Sequence, residues 1–435
     1  MYPCQVKIFA RSKAPRLSYI AGIILGDILG LSWEIVTDKR KLGKHPVINY
    51  SSEKVPGSFR IDPCPLLFET GIASQEISVS EWKGLPVFFQ TAPDSDIPFD
   101  IFAASFFLLS RYEEYLKFQP DEHGRFTASS SLAFKHGFLD KPVVDLWTKE
   151  FSRALIGKHP VLTFRRNEYK ALLTVDSDQP FAYLGRNLMR SFGGLIHDLT
   201  AKSGHAGERY RVVTRGKKDP YEVYDYIADE IDKNNTDARF FFPVGDNSRY
   251  DKNPSWKSKE YRDLITKVSG KYKTGLHPSY YASDNYTLFK SELSRLRTIL
   301  GKDITSSRYH FIRLFTPASY RQLSKAGIAE DYSMGYPDEP GFRAGIARPY
   351  FFYDVSEDLS TNLKIVPFQV MDGTLYQYRK LGPDASGEII LKLISETRKA
   401  GGLFVSLWHN TSLLESPEWH GWREIFETML KIQQA

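Results

Sequence analysis

From Tyr169 onward, seven short apolar runs alternate with segments of helical period, and this alternation narrows the possible architectures more than any other feature. The runs are "YKALLTV", "ARFFFPVG", "KTGLH", "RYHFIRLF", "AEDYSMG", "KIVPFQVM" and "GLFVSLW". The helical segments have readable boundaries. "DPYEVYDYIADEI" offers Asp219 as N-cap and Pro220 as first helical residue, and "TPASYRQLSKAG" repeats that grammar with Thr316, Pro317 and a terminating Gly327. "YTLFKSELSRLRTILG" is amphipathic and stops at Gly301. The pattern predicts a parallel α/β fold, either a barrel or a doubly wound sheet. Both put their chemistry at the carboxyl ends of strands.

The residues before this alternation read differently. They mix strand-like and helical pieces, with the clearest helix over "PFDIFAASFFLLSRYEEYLKF" and Arg111, Glu113 and Glu114 on its polar face. "DEHGRF" reads as a turn. The expected division is an N-terminal α+β domain over 1–165 and an α/β domain over 166–435. A 435-residue chain has ample core for both.

Composition removes several function classes. A net charge of +6, with no nucleic-acid motif, does not indicate a nucleic-acid partner. The densest basic stretch, "ERYRVVTRGKK", reads as a solvated loop. Two cysteines, Cys4 and Cys64, make neither a disulfide framework nor a zinc cluster. The apolar piece "YIAGIILGDILG" is interrupted by Asp27 and followed by no small-residue cleavage site, so it is expected to be neither signal peptide nor membrane span. The expectation is a cytoplasmic protein, with oligomeric state left open.

Polar residues cluster where the predicted strands end. The first run closes on Asp176 and Asp178, the second on "VGDNSRYD", the third on His277. The fourth carries Arg308, His310 and Arg313, the sixth reaches Asp372, and the seventh reaches His409. The loop after the fifth holds Arg343 and Arg348, expected to contact substrate together with Tyr281 and Trp408. One carboxylate and two imidazoles can hold a zinc-like divalent ion with a position left open. A second carboxylate can take a proton from water, and a further histidine can give one to a leaving group. That combination suits hydrolysis of an amide or ester.

The order of "TVDSDQP", "GLHPSYY", "SSRYHFIRL", "FQVMDG" and "VSLWHN" resembles the polysaccharide deacetylase family (carbohydrate esterase family 4) over about Tyr169 to Ala435. The resemblance implies a distorted (β/α)7 barrel and metal-dependent removal of an acetyl group from a sugar. It implies Asp176 as general base, Asp178 and His277 as metal ligands, Asp372 as the acid orienting His409, and His409 as general acid. Arg308 matches the arginine that steadies the base, with Arg313 a rival.

Two departures stand out. The family's aspartates are adjacent, whereas Ser177 separates them here, which in an extended strand keeps both on one side. Tyr281 stands where the family has its second metal histidine, and His310 on the next strand is expected to replace it, adjacent strands being ~5 Å apart. Ligand atoms around one tetrahedral ion should then lie about 3 to 3.5 Å apart. Two other readings remain: a non-catalytic carbohydrate-binding relative, and a glycoside hydrolase pairing carboxylates about 5 to 9 Å apart, with a partner such as Asp372.

Overall fold

The computed structural model describes residues 5–185 and 205–434, and the chain separates into two units. The first comprises residues up to Lys170 with Gly341–Pro367 and Leu393–Leu403. Its sheet has four parallel strands in the order Ser32–Val36, Gln5–Ala10, Val47–Tyr50 and Phe59–Arg60. In the second of these, Val6 and Ile8 on one face and Phe9 on the other are all buried, as a parallel strand covered on both faces requires.

The predicted helix over residues 98–118 is shorter. It spans Ile101–Leu109, starts where the Asp100 carboxylate accepts the Ala103 N–H, and is buried all round. Arg111 then takes a left-handed φ of 54°, and a 3-10 turn follows over Tyr112–Tyr115. The expected solvated face is in fact buried. Arg111 bonds Glu113 (2.7 Å) and Glu114 (2.8 Å), and this mutual pairing is what allows the charges out of water.

The second unit comprises Ala171–Pro340, Phe368–Lys392 and Phe404–Ala435. Its strands lie in the spatial order Glu330–Asp331, Ser306–Ser307, Lys273–Leu276, Ala238–Phe242, Lys170–Asp176, Leu403–His409 and Val370–Met371. Gly275 fits a close approach: a Cβ there would lie 2.5 Å from the Phe241 ring and 2.8 Å from the Ser306 carbonyl. Helices Tyr224–Lys233, Lys259–Lys271, Tyr286–Leu300 and Ala318–Lys325 sit between successive strands, so the α/β alternation is present.

The expected closed (β/α)7 barrel is not. Among the described residues no ladder joins Glu330–Asp331 to Val370–Met371, although the Phe368 N–H bonds the Met334 carbonyl at 3.0 Å across that gap. Within this unit the strands at either end of that order have two residues each, well below the usual strand length.

Other expectations also need correction. The run "RYHFIRLF" is not a strand: the chain leaves the sheet after Ser306–Ser307 and turns at His310–Ile312. "KIVPFQVM" is cut by Pro367, which has no N–H for a ladder, so one strand ends at Ile365 and another begins at Val370. Asp219 does not cap the following helix, which starts at Tyr224. Its carboxylate instead accepts the N–H groups of Ala182, Tyr183 and Leu184. "ERYRVVTRGKK" is mostly helical, within His205–Arg215. No described helix is long and apolar enough to cross a membrane.

Candidate metal and acid–base site

Backbone ladders bring the chemistry to one edge of the second unit's sheet. Ser177 N–H bonds Phe241 O, His277 N–H bonds Phe242 O, and Arg308 N–H bonds Leu276 O. Four neighbouring strands therefore end in register, and the residues just beyond them converge.

Asp178, His277 and His310 each offer a ligand atom, all within 4.8 Å of one another. His277 Nε2 lies 3.0 Å from Asp178 Oδ1, and His310 Nε2 lies 3.3 Å from Asp178 Oδ2. The far nitrogens explain this orientation. His277 Nδ1 is 2.6 Å from the Arg308 carbonyl, which can only accept, so Nδ1 carries the proton and Nε2 presents its lone pair inward. His310 Nδ1 is 2.9 Å from Asp251 Oδ1, which takes its proton and turns Nε2 toward Asp178.

His277 Nε2 and Asp178 Oδ1 are buried and hydrogen-bond to nothing among the described residues. Two lone pairs facing each other at that distance repel unless a cation lies between them. Burial works against the Asp178 charge, yet the positive attraction of His310 holds its carboxyl well below the usual range. Burial likewise opposes charge on His310, but Asp178 and then Asp251 push it up to about 10. A cluster so biased toward an added positive charge fits a divalent cation in exchange for the His310 proton.

Asp176 lies beside this group, with Oδ2 3.8 Å from His277 Nε2. Its Oδ1 accepts from Arg308 Nη1 at 2.9 Å, while Arg308 Nε donates to the Tyr332 carbonyl at 3.0 Å. Arg313, the rival arginine, instead bonds Tyr280 O, Ser283 Oγ (2.6 Å) and Asp284 (2.9 Å).

His409 stands on another side of Asp178, with Nε2 3.6 Å from Asp178 Oδ2. Its Nδ1 is 2.7 Å from Asp372 Oδ1, and its own N–H bonds Asp372 Oδ2 at 2.7 Å. Asp372 is buried and also accepts from the Gly373 N–H and the Ser412 hydroxyl. Burial opposes a charge on His409, but Asp372, helped by Asp178 and Asp176, pushes it up to about 9. At neutral pH its Nε2 therefore holds a proton to give.

The expected substrate contacts are placed variously. Tyr281 is 47% exposed, its ring 6.1 Å from that of Tyr250 and 5.2 Å from that of Tyr280. Trp408 is buried against Trp422 and Phe426, which leaves its ring no face for a ligand. Arg343 bonds Glu114 (2.9 Å) and Arg348 bonds Asp145 (2.5 Å), all four in the first unit.

Sequence reasoning missed Asp251 and Ser412. "VGDNSRYD" ends a predicted strand and so flagged the region, but nothing local distinguishes Asp251 from Asp246 in it.

Comparison with known proteins adds the following. Residues 6–160 match a family of unknown function, DUF7033. No curated protein matches the chain. Among solved structures it is similar to a candidate polysaccharide deacetylase from Mycobacterium smegmatis, at 14% identity over 62% of this chain and 85% of that one, with a TM-score of 0.42. It is similar to a polysaccharide deacetylase from Bacillus cereus at 13% identity over 62% and 89%, with a TM-score of 0.30. A third similar structure is a CE4 family pseudoenzyme from Bacillus anthracis, at 10% identity over 62% of each chain, with a TM-score of 0.31.

Proposed function

We propose that this chain is a metal-dependent hydrolase that removes an acetyl group from an N- or O-acetylated sugar or glycan precursor. The observation that carries the reading is the convergence of Asp178, His277 and His310, with the His277 and Asp178 donor atoms buried and facing one another. The motif order in the sequence supports the carbohydrate class.

A divalent ion, zinc being the expected one, would act there as a Lewis acid that polarises a carbonyl oxygen and lowers the pKa of water. Asp178, His277 and His310 would hold it. Asp176 takes the proton from the attacking water, and Arg308 fixes which carboxylate oxygen stays free by occupying Oδ1. His409 donates its Nε2 proton to the leaving nitrogen or oxygen. Asp372, bonded at Nδ1, keeps the ring turned and favours the protonated form. Tyr281 offers an exposed face to a sugar ring. The buried ring of Trp408 and the paired guanidiniums of Arg343 and Arg348 carry no part in it.

The test is acetate release from acetylated chitooligosaccharides and nucleotide-linked N-acetyl sugars, with and without zinc or cobalt. Metal-dependent release lost in Asp176→Asn supports the reading. Sugar binding with stoichiometric metal and no release across both substrate sets favours the non-catalytic alternative.

A further inference from the structure

His310 is held from behind by a carboxylate with few other tasks. Asp251 is 1% exposed, and among the described residues its one charged partner is His310. Its Oδ1 takes the His310 Nδ1 proton at 2.9 Å and the Tyr280 N–H at 2.9 Å, and its Oδ2 takes the Ser248 hydroxyl at 2.5 Å. Three segments therefore meet on one carboxylate: the loop after Ala238–Phe242, the turn after Lys273–Leu276, and the turn carrying His310.

The turn itself is costly. Phe311 and Ile312, directly after His310, both adopt left-handed backbone, with φ of 60° and 51°. Such a conformation at consecutive non-glycine residues, one of them β-branched, is unfavourable and persists only where surrounding contacts impose it. Here the turn is packed by the buried Ile312 side chain and by the Phe311 ring against Tyr250 and Tyr280, and is bonded through His310 to Asp251. Meanwhile Tyr281, four residues after His277, packs against Tyr250 and Tyr280.

We propose that Asp251 is a positioning residue for the metal, fixing the His310 ring with Nδ1 protonated and Nε2 turned to Asp178, so that a histidine from a different strand end completes the ligand set. This rests on the reading that Asp178, His277 and His310 hold a divalent ion. An outer carboxylate of this kind sets the tautomer and raises ligand basicity, and its loss typically weakens metal binding about 10–100-fold.

The experiment uses the full chain, stripped with a chelator, and measures zinc affinity by competition with a chromophoric chelator, together with the cobalt d–d spectrum and thermal stability. Asp251→Ala is expected to weaken zinc binding by about 10–100-fold. Asp251→Asn, which keeps an oxygen acceptor for the Nδ1 proton, should recover part of that loss. Ser248→Ala, which removes the Oδ2 contact and the acceptor of the Tyr250 and Asp251 N–H groups but leaves the Oδ1 bond to His310, should stay within about twofold of the parent.

A parent chain that binds zinc, with Asp251→Ala binding it equally tightly, overturns the positioning role and leaves the metal site standing. A parent chain that binds neither ion overturns the metal reading and the inference with it. Should Asp251→Ala not fold, the cobalt spectrum of Asp251→Asn decides. A shifted d–d band at unchanged melting temperature supports the role, and a spectrum superimposable on the parent's overturns it.

Discussion

His277 Nε2 faces Asp178 Oδ1 at 3.0 Å while its Nδ1 donates to the Arg308 carbonyl, so one strand end fixes both the position and the tautomer of a ligand. Arg308 in turn grips Asp176, the neighbour of Asp178 but one. Ligand, base and their support are thus mechanically linked.

That linkage makes metal binding the first expectation. Zinc added to stripped protein should bind with one equivalent, and at a hundredfold excess over its Kd should stabilise the fold by about 2.7 kcal/mol. His277→Ala and Asp178→Ala should each abolish that stabilisation in a thermal melt. Unchanged zinc-induced stabilisation in both would remove these residues from the ligand set.

The Arg308–Asp176 pair is buried on both sides, so removing one partner leaves an uncompensated charge. Arg308→Met should lower stability in urea unfolding by about 3–5 kcal/mol. Asp176→Leu in the same chain should restore much of that loss. A double variant no more stable than Arg308→Met alone would contradict the pairing.

His409 should set the alkaline limit of activity. Its proton, ordinarily lost near ~6.5, is held up to about 9 by Asp372 and the nearby carboxylates. A cation on Asp178 reduces that support, so in the loaded protein kcat should decline at a pH between those two values. Asp372→Asn should move the decline toward lower pH. His409→Gln should lower kcat by about 10²–10⁴-fold without loss of bound zinc, measured by metal analysis and a pH–rate profile.

Asp331 makes stability fall as pH rises. Burial pushes its carboxyl up to about 7, only partly offset by the Ser333 N–H and hydroxyl and by Arg308. Because the folded pKa lies above the unfolded value of ~3.9, the folded state binds the extra proton. The contribution is complete below ~4 and is lost as pH climbs through about 7. Asp331→Asn should flatten the change in unfolding free energy between pH 4 and 8. An undiminished slope would assign that dependence to other groups.

The strand–helix alternation was legible in the residues alone, because period and capping are local properties. The sequence also brought Asp176, Asp178, His277, Arg308, Asp372 and His409 to strand ends, because a strand's terminus can be read from where its apolar run stops. It misread "RYHFIRLF" as a strand, since aromatic and β-branched residues suit a pleated surface wherever they occur.

Which partners meet was settled by the folded chain. Arg308 rather than Arg313 grips Asp176, 132 residues away. Asp251 rather than Asp246 backs His310, and Trp408 is enclosed while Tyr281 is exposed. These choices depend on the register between strands and on where each loop folds back. A change of one residue in either would exchange the partners without altering any local pattern.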